Sequence, residues 1–156
     1  MIKRFLSYVE IKTKITSVFA FLITTAYLFS VGQKIALGKT LLFFAAMFLF
    51  DLTTTAINNY VDTKTNDQIL QFKRKIALLI IIILFLVSAA LGLYLALLTD
   101  VIVLISGVLC FLCGVLYTYG PVPISRQPLG EIFSGLFYGV LIPFILLYIN
   151  MPKGTY

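Results

Sequence analysis

The 156-residue chain has no histidine, no tryptophan and only two cysteines, and charged residues make up just 12% of it. Without histidine, no chemistry here can rest on an imidazole base. Cys110 and Cys113 have Cys-x-x-Cys spacing, but no third cysteine or histidine exists to complete a tetrahedral zinc site. They read as small apolar packing residues. The scarcity of charge matters most. Set against 61% hydrophobic residues and a mean hydropathy of +1.07, it excludes a soluble domain, which at this length could not hide so much apolar surface. No Ser/Gly/Pro-rich linker, low-complexity tract or repeat divides the chain, so 1–156 reads as a single transmembrane domain.

What is present is a series of apolar runs. Lipid offers the backbone no hydrogen-bond partner, and the runs are too long for barrel strands, so an all-α membrane bundle is expected. At roughly 20 residues per crossing, about five transmembrane helices fit: residues 15–31, 41–57, 76–98, 101–117 and 129–149. The basic stretch before the first resembles a signal-peptide n-region, but no small-x-small cleavage site follows, so the span is expected to be retained. With the N-terminus inside, the inner side carries Lys3, Arg4, Lys12, Lys14, Lys64, Lys73, Arg74, Lys75 and Arg126, the outer only Lys34, Lys39 and Lys153. That bias places the N-terminus and the two longer connections in the cytoplasm, with a bacterial plasma membrane as the expected location. Orientation and membrane lipid headgroups account for the net charge of +6 without nucleic acid.

Small-residue pairs recur at helix-packing intervals: Gly135 with Gly139, and Ser88 with Gly92. Both read as close-packing positions. Pro143 is expected to bend the last span.

The second span carries a polar stripe, Asp51, Thr54, Thr55, Asn58 and Asp62, advancing by three or four residues. It must face protein or a wet cavity. Asp51 has two readings: a protonated or threonine-bonded carboxyl holding the bundle together, which is favoured, or the lining of a substrate chamber. Asn58, Asp62 and Asn66 share one face if the helix continues. Mg²⁺ takes hard oxygens, typically one or two carboxylates plus substrate phosphates. Asn58 and Asp62 could supply two ligands, and Asn66 and Asp67 could extend the set. Lys64, the Lys73-Arg74-Lys75 run and Arg126 could neutralise a diphosphate. Equally, Asn and Asp at a helix end can cap it or start a turn, and the basic run can be a topology signal. Spacing and charge leave both readings open.

The block Ala56-Ile57-Asn58-Asn59-Tyr60-Val61-Asp62-Thr63-Lys64 resembles the first aspartate-rich motif of the UbiA-type intramembrane prenyltransferases, Asn-Asp-x-x-Asp-x-x-x-Asp. Leu116-Tyr117-Thr118-Tyr119-Gly120-Pro121-Val122-Pro123, followed by Leu129-Gly130-Glu131, resembles the Tyr-Thr-x-Gly-Pro-x-Pro…Leu-Gly-Glu passage of that family's naphthoate (menaquinone-pathway) branch. The resemblance implies Mg²⁺-dependent transfer of an isoprenyl chain from a prenyl diphosphate to an aromatic or other lipophilic acceptor, in quinone or lipid biosynthesis. By carry-over, Asn58 and Asp62 match its Mg²⁺-diphosphate positions, and Tyr60, Tyr117 and Tyr119 are candidates to steady an allylic cation. Asn59 stands where the family has Asp, and Asn66 stands at the last Asp position with Asp67 one residue on. The family has about nine helices and a second aspartate-rich motif. The resemblance therefore covers an amino-terminal portion, expected to be weakly active or inactive without a second half or partner subunit. Two other functions compete: a non-catalytic membrane partner subunit, and a small transporter or pore subunit using the Asp51-to-Asp62 stripe as a polar path.

Overall fold

The computed structural model describes residues 1–65, 69–118 and 130–151. Among them the chain is helical, with no strand. A short helix α1 (Ile2–Tyr8) leads through a 3₁₀ turn (Ile11–Lys14) into α2 (Ile15–Ser30). Next come α3 (Leu37–Thr65), α4 (Arg74–Leu97) and α5 (Val101–Thr118), then α6 (Gly130–Leu136), a π turn (Phe137–Leu141) and α7 (Ile142–Asn150). Four stretches among the described residues are long and apolar enough to cross a bilayer: Ile11–Ser30, Leu37–Thr63, Arg74–Leu97 and Gly130–Asn150. The shorter apolar Val101–Tyr117 joins them. The protein is thus an all-α membrane bundle.

The helices divide between centre and rim. Half of the most apolar window of α3 is buried but only 11% of that of α4, so α3 is the core helix and α4 turns most of its surface to lipid. Leu79, Ile83 and Leu86 on α4, and Ile105, Leu109 and Leu112 on α5, are exposed at helical spacing, the pattern of a lipid-facing stripe. α4 packs most extensively on α3, and α2 packs on α7. Two apolar clusters close the ends. One gathers Leu28, Phe43, Leu95, Val103, Ile145 and Leu146. The other, at the end carrying Asn58, gathers Tyr8, Val9, Leu52, Ala56, Ala77 and Ile81.

Helix α3 differs from the expected 41–57 span at both ends. It begins at Leu37 because Asn150, buried at the end of α7, accepts a hydrogen bond from the Ala36 backbone N–H (2.8 Å) and exchanges hydrogen bonds with the Thr40 hydroxyl. The Gln33 side-chain amide donates to the Asn150 carbonyl (2.9 Å). At the other end the helix runs on to Thr65, supported by Arg74, which donates to the Thr63 carbonyl (3.3 Å) and stacks on the Tyr60 ring, 5.2 Å from its centroid. At 1.5 Å per residue, α3 spans roughly 43 Å, longer than the ~30 Å hydrocarbon layer. Its last polar turns therefore reach the interface.

Two packing expectations are corrected. A Cβ added at Gly92, Gly135 or Gly139 would meet nothing within 4 Å, so those glycines are not points of close approach. The close approach is at Gly114, where a Cβ would lie 2.5 Å from the Phe50 ring and 3.1 Å from Thr54. Phe50 in turn stacks on Phe111 (centroids 4.1 Å), so it has little room to withdraw. Next to Pro143, expected to bend the span, the structure shows a change of winding. Pro143 has no N–H to give the preceding turn, and the π turn Phe137–Leu141 lies just before it, the kind of register break that relieves such a defect.

Candidate functional site

A cavity of about 300 Å³ lies against α3, walled by the start of α2, α4, α5 and the α6–α7 segment. Its composition changes along its length. Toward the Asn58 end the wall is polar: Glu10, Thr13, Lys14, Thr54, Thr55 and Asn58. Toward the other end it is Phe43, Ala46, Met47, Leu95, Val103 and Ile145. The polar stripe read on α3 therefore lines this chamber from Asp51 to Asn58.

Asp51 sits at the change of character. Lys14 Nζ lies 2.9 Å from Asp51 Oδ1 and also donates to the Thr55 hydroxyl. The Ser17 hydroxyl donates to Asp51 Oδ2 (2.6 Å), and Tyr138 stands close enough to interact with the same carboxylate. Lys14 and Asp51 are 4% and 9% exposed. An ion taken out of water costs several kcal/mol unless paired and hydrogen-bonded; here both ions are. The protonated and threonine-bonded readings of Asp51 are both replaced by an ion pair. Thr54 and Thr55 instead donate to its backbone carbonyl (3.0 and 3.2 Å). The chamber-lining reading of Asp51 holds alongside this structural role. Lys14, counted among the cytoplasmic topology charges, is a buried partner. Nothing in its local sequence marked it, since the residue it meets is 37 positions away.

Asn58 lines the cavity. Asp62 is half-buried one turn further along the same uninterrupted helix and is engaged in the structure. Because α3 continues past both, neither caps a helix end. Tyr117 also lines the cavity, whereas Tyr60 is under Arg74 and does not. Asn59 turns away: its side-chain amide donates to the Tyr8 carbonyl (2.8 Å), tying α1 to α3. Tyr8 completes that joint by donating to the Ala56 carbonyl (3.0 Å) and, more weakly, to that of Ala77 (3.5 Å). Burial, aided by the neighbouring Tyr60, pushes the Tyr8 hydroxyl's pKa up from its ordinary value. Arg74, from the expected phosphate-neutralising run, is committed to Thr63 and Tyr60. Asn66, Asp67, Tyr119 and Arg126 lie outside the described residues, as does the side chain of Lys64.

Among the described residues no group of three or more His, Cys, Asp or Glu side chains gathers to hold a metal. The oxygen donors expected from the sequence are the Asn58 carboxamide, which lines the cavity, and the Asp62 carboxylate, which is engaged one turn further on. Those are hard oxygens of the kind Mg²⁺ accepts when substrate phosphates and water supply the rest. Cys110 and Cys113 are free thiols. The chain matches no protein-family model, no curated protein and no solved structure.

Proposed function

We propose that this cavity binds a prenyl diphosphate for transfer of its isoprenyl chain to an aromatic or lipophilic acceptor, in the manner of the UbiA-type enzymes that the motif block resembles. One observation carries the reading. Asn58 lies at the polar end of a chamber whose other end is apolar, beside Glu10, Thr13 and Thr55, with Asp62 one turn outward on the same helix. A bilayer protein gains no stability from such a placement, and intramembrane polar groups of this kind are usually functional.

Asn58 and Asp62 are the residues that would hold Mg²⁺, which when bound supplies positive charge to a departing diphosphate. The chain's own contributions are positional. Asn58 and Asp62 orient the polar end at the interface, the apolar lower wall excludes water from the reacting carbon, and Tyr117 presents an aromatic ring to the chamber. A transporter reading is less well supported, because the stripe stops at Asp51 and the wall beyond is apolar, ending against the buried cluster around Leu95 and Ile145.

The test is Mg²⁺-dependent prenyl transfer in an active preparation, with any partner it requires. Asn58→Ala and Asp62→Asn are each expected to abolish transfer while the protein remains folded. Normal turnover in both variants removes the site assignment.

A further inference from the structure

Glu10 stands apart from the other polar residues of the cavity wall. Its φ is 47° and its ψ 57°, and no other non-glycine among the described residues has a positive φ. It lines the polar end of the cavity. Among the described residues its carboxylate is in no ion pair, since the salt bridge there joins Lys14 to Asp51.

The backbone on either side of Glu10 is fastened to α3. Before it, the buried Tyr8 donates to the Ala56 carbonyl (3.0 Å), and the Asn59 amide donates to the Tyr8 carbonyl (2.8 Å). After it, Lys14 reaches Asp51 and Thr55. Residues 8–14 therefore run beside residues 51–59 of α3 in the opposite sense. Glu10 falls across from the stretch between Thr55 and Asn59, whose cavity-lining member is Asn58. The Thr13 hydroxyl and backbone N–H both donate to the Glu10 carbonyl (2.8 and 2.9 Å), closing the turn. Glycine fills such a left-handed place after a helix without strain. Glutamate accepts the strain and gives the wall a carboxylate.

Charge decides what that carboxylate can serve. The charged side chains on the wall are Glu10, Lys14 and Asp51. Lys14 and Asp51 offset one another, so Glu10 leaves the wall net negative. A diphosphate brought to Asn58 would meet like charge at short range. A divalent cation held between them reverses the sign, because each anion then faces the cation. Carboxylate and carboxamide oxygens from separate elements suit Mg²⁺, which completes its shell with water and phosphate oxygens.

We propose that Glu10 is a ligand for the divalent cation at the polar end of the cavity, reaching it from the α1–α2 turn while Asn58 does so from α3. This rests on the prenyl-diphosphate reading for what the cation does, but binding of the cation needs no diphosphate. The turn thereby supplies a carboxylate from outside the α3 block, where Asn59 is committed to Tyr8. The Tyr8 and Lys14 anchors hold the strained turn, so the ligand is placed before the ion arrives.

Mn²⁺ is the probe, a hard divalent ion with an EPR signal of its own. It is titrated into the full chain in nanodiscs of zwitterionic lipid, and the free-ion signal measures what remains unbound. A single class of site, from which Mg²⁺ displaces Mn²⁺, is expected. Glu10→Gln, Glu10→Gly and Asn58→Ala are each expected to weaken binding at least about tenfold. Glycine accepts the positive φ, so Glu10→Gly is expected to melt no lower than the parent, and its loss of affinity is then not loss of fold. Glu131→Gln removes an exposed carboxylate that is not part of the cavity wall, and is expected to bind as the parent does. Absence of Mn²⁺ binding, unchanged affinity in both Glu10 variants, or equal weakening in Glu131→Gln overturns the proposal. Affinity that falls with Asn58→Ala but not with the Glu10 variants removes Glu10 and leaves the transferase site standing. Affinity that falls with Glu10→Gln and Asn58→Ala, beside normal prenyl transfer in Asn58→Ala and Asp62→Asn, keeps the cation site and removes the transferase assignment.

Discussion

Lys14 and Asp51 form an ion pair 2.9 Å long between the entrance of α2 and the middle of α3, with Ser17 and Thr55 completing the shell. The pair holds the 3₁₀ turn Ile11–Lys14 against the core helix, so Glu10, Thr13 and Lys14 become part of the cavity wall. A polar contact thereby shapes an apolar chamber.

Removing one member leaves the other buried and uncompensated. Asp51→Ala or Lys14→Ala is expected to destabilise the protein by about 3–5 kcal/mol, whereas the double replacement Lys14→Met/Asp51→Leu recovers most of that loss. Denaturant unfolding in detergent micelles measures all three. A single variant as stable as the parent contradicts the pairing.

Asn59→Asp introduces the acidic residue that the resembled prenyltransferase motif carries at this place, yet it removes the donor to the Tyr8 carbonyl. The expected result is looser docking of α1 rather than tighter Mg²⁺ binding. The cost is about 1–3 kcal/mol for the orphaned carbonyl and an added carboxylate facing it. Hydrogen exchange across Ile2–Tyr8 should accelerate; increased Mg²⁺ affinity with unchanged exchange contradicts the assignment.

Gly114→Ala places a methyl group 2.5 Å from the Phe50 ring, which is pinned by its stacking on Phe111. Overpacking of this kind costs about 1–3 kcal/mol. A second change, Phe50→Leu, should restore part of the loss in a double-mutant cycle. Additive effects would show that the two sites are independent.

Tyr8 supplies a pH dependence. Burial raises its hydroxyl pKa above the unfolded value near 10. The unfolded chain therefore releases this proton first, and the Tyr8 contribution to stability, intact below about pH 10, is lost as pH rises further. Tyr8→Phe should cost about 1 kcal/mol at neutral pH and flatten the alkaline fall in melting temperature. An equally steep fall in the variant assigns it elsewhere.

The order in which these features became readable follows from their range. Membrane insertion, helical structure and the placement of Asp51, Thr54, Thr55 and Asn58 on one stripe are consequences of composition and of a 3.6-residue period, which act within a few turns. The run-on of α3 through Asn58 and Asp62 was only conditional in the sequence, since carboxamides and carboxylates serve helix ends as readily as ligand sites. Its outcome depended on Tyr8, Arg74 and Thr63 meeting at that end.

Partner choice belongs to the tertiary structure. Lys14 looks like any other basic residue before a first span until α3 brings Asp51 beside it. Asn59 looks like one more polar residue of the Asn58–Asp62 block until Tyr8 arrives 51 residues away in sequence. Gly92 and Gly114 are indistinguishable as letters, yet one faces open space and the other a phenyl ring. Local patterning determined that this chain would be a greasy helical bundle with a polar stripe. Long-range packing decided what the stripe faces, because the cost of burying charge and excluding volume is set only when distant helices come into contact.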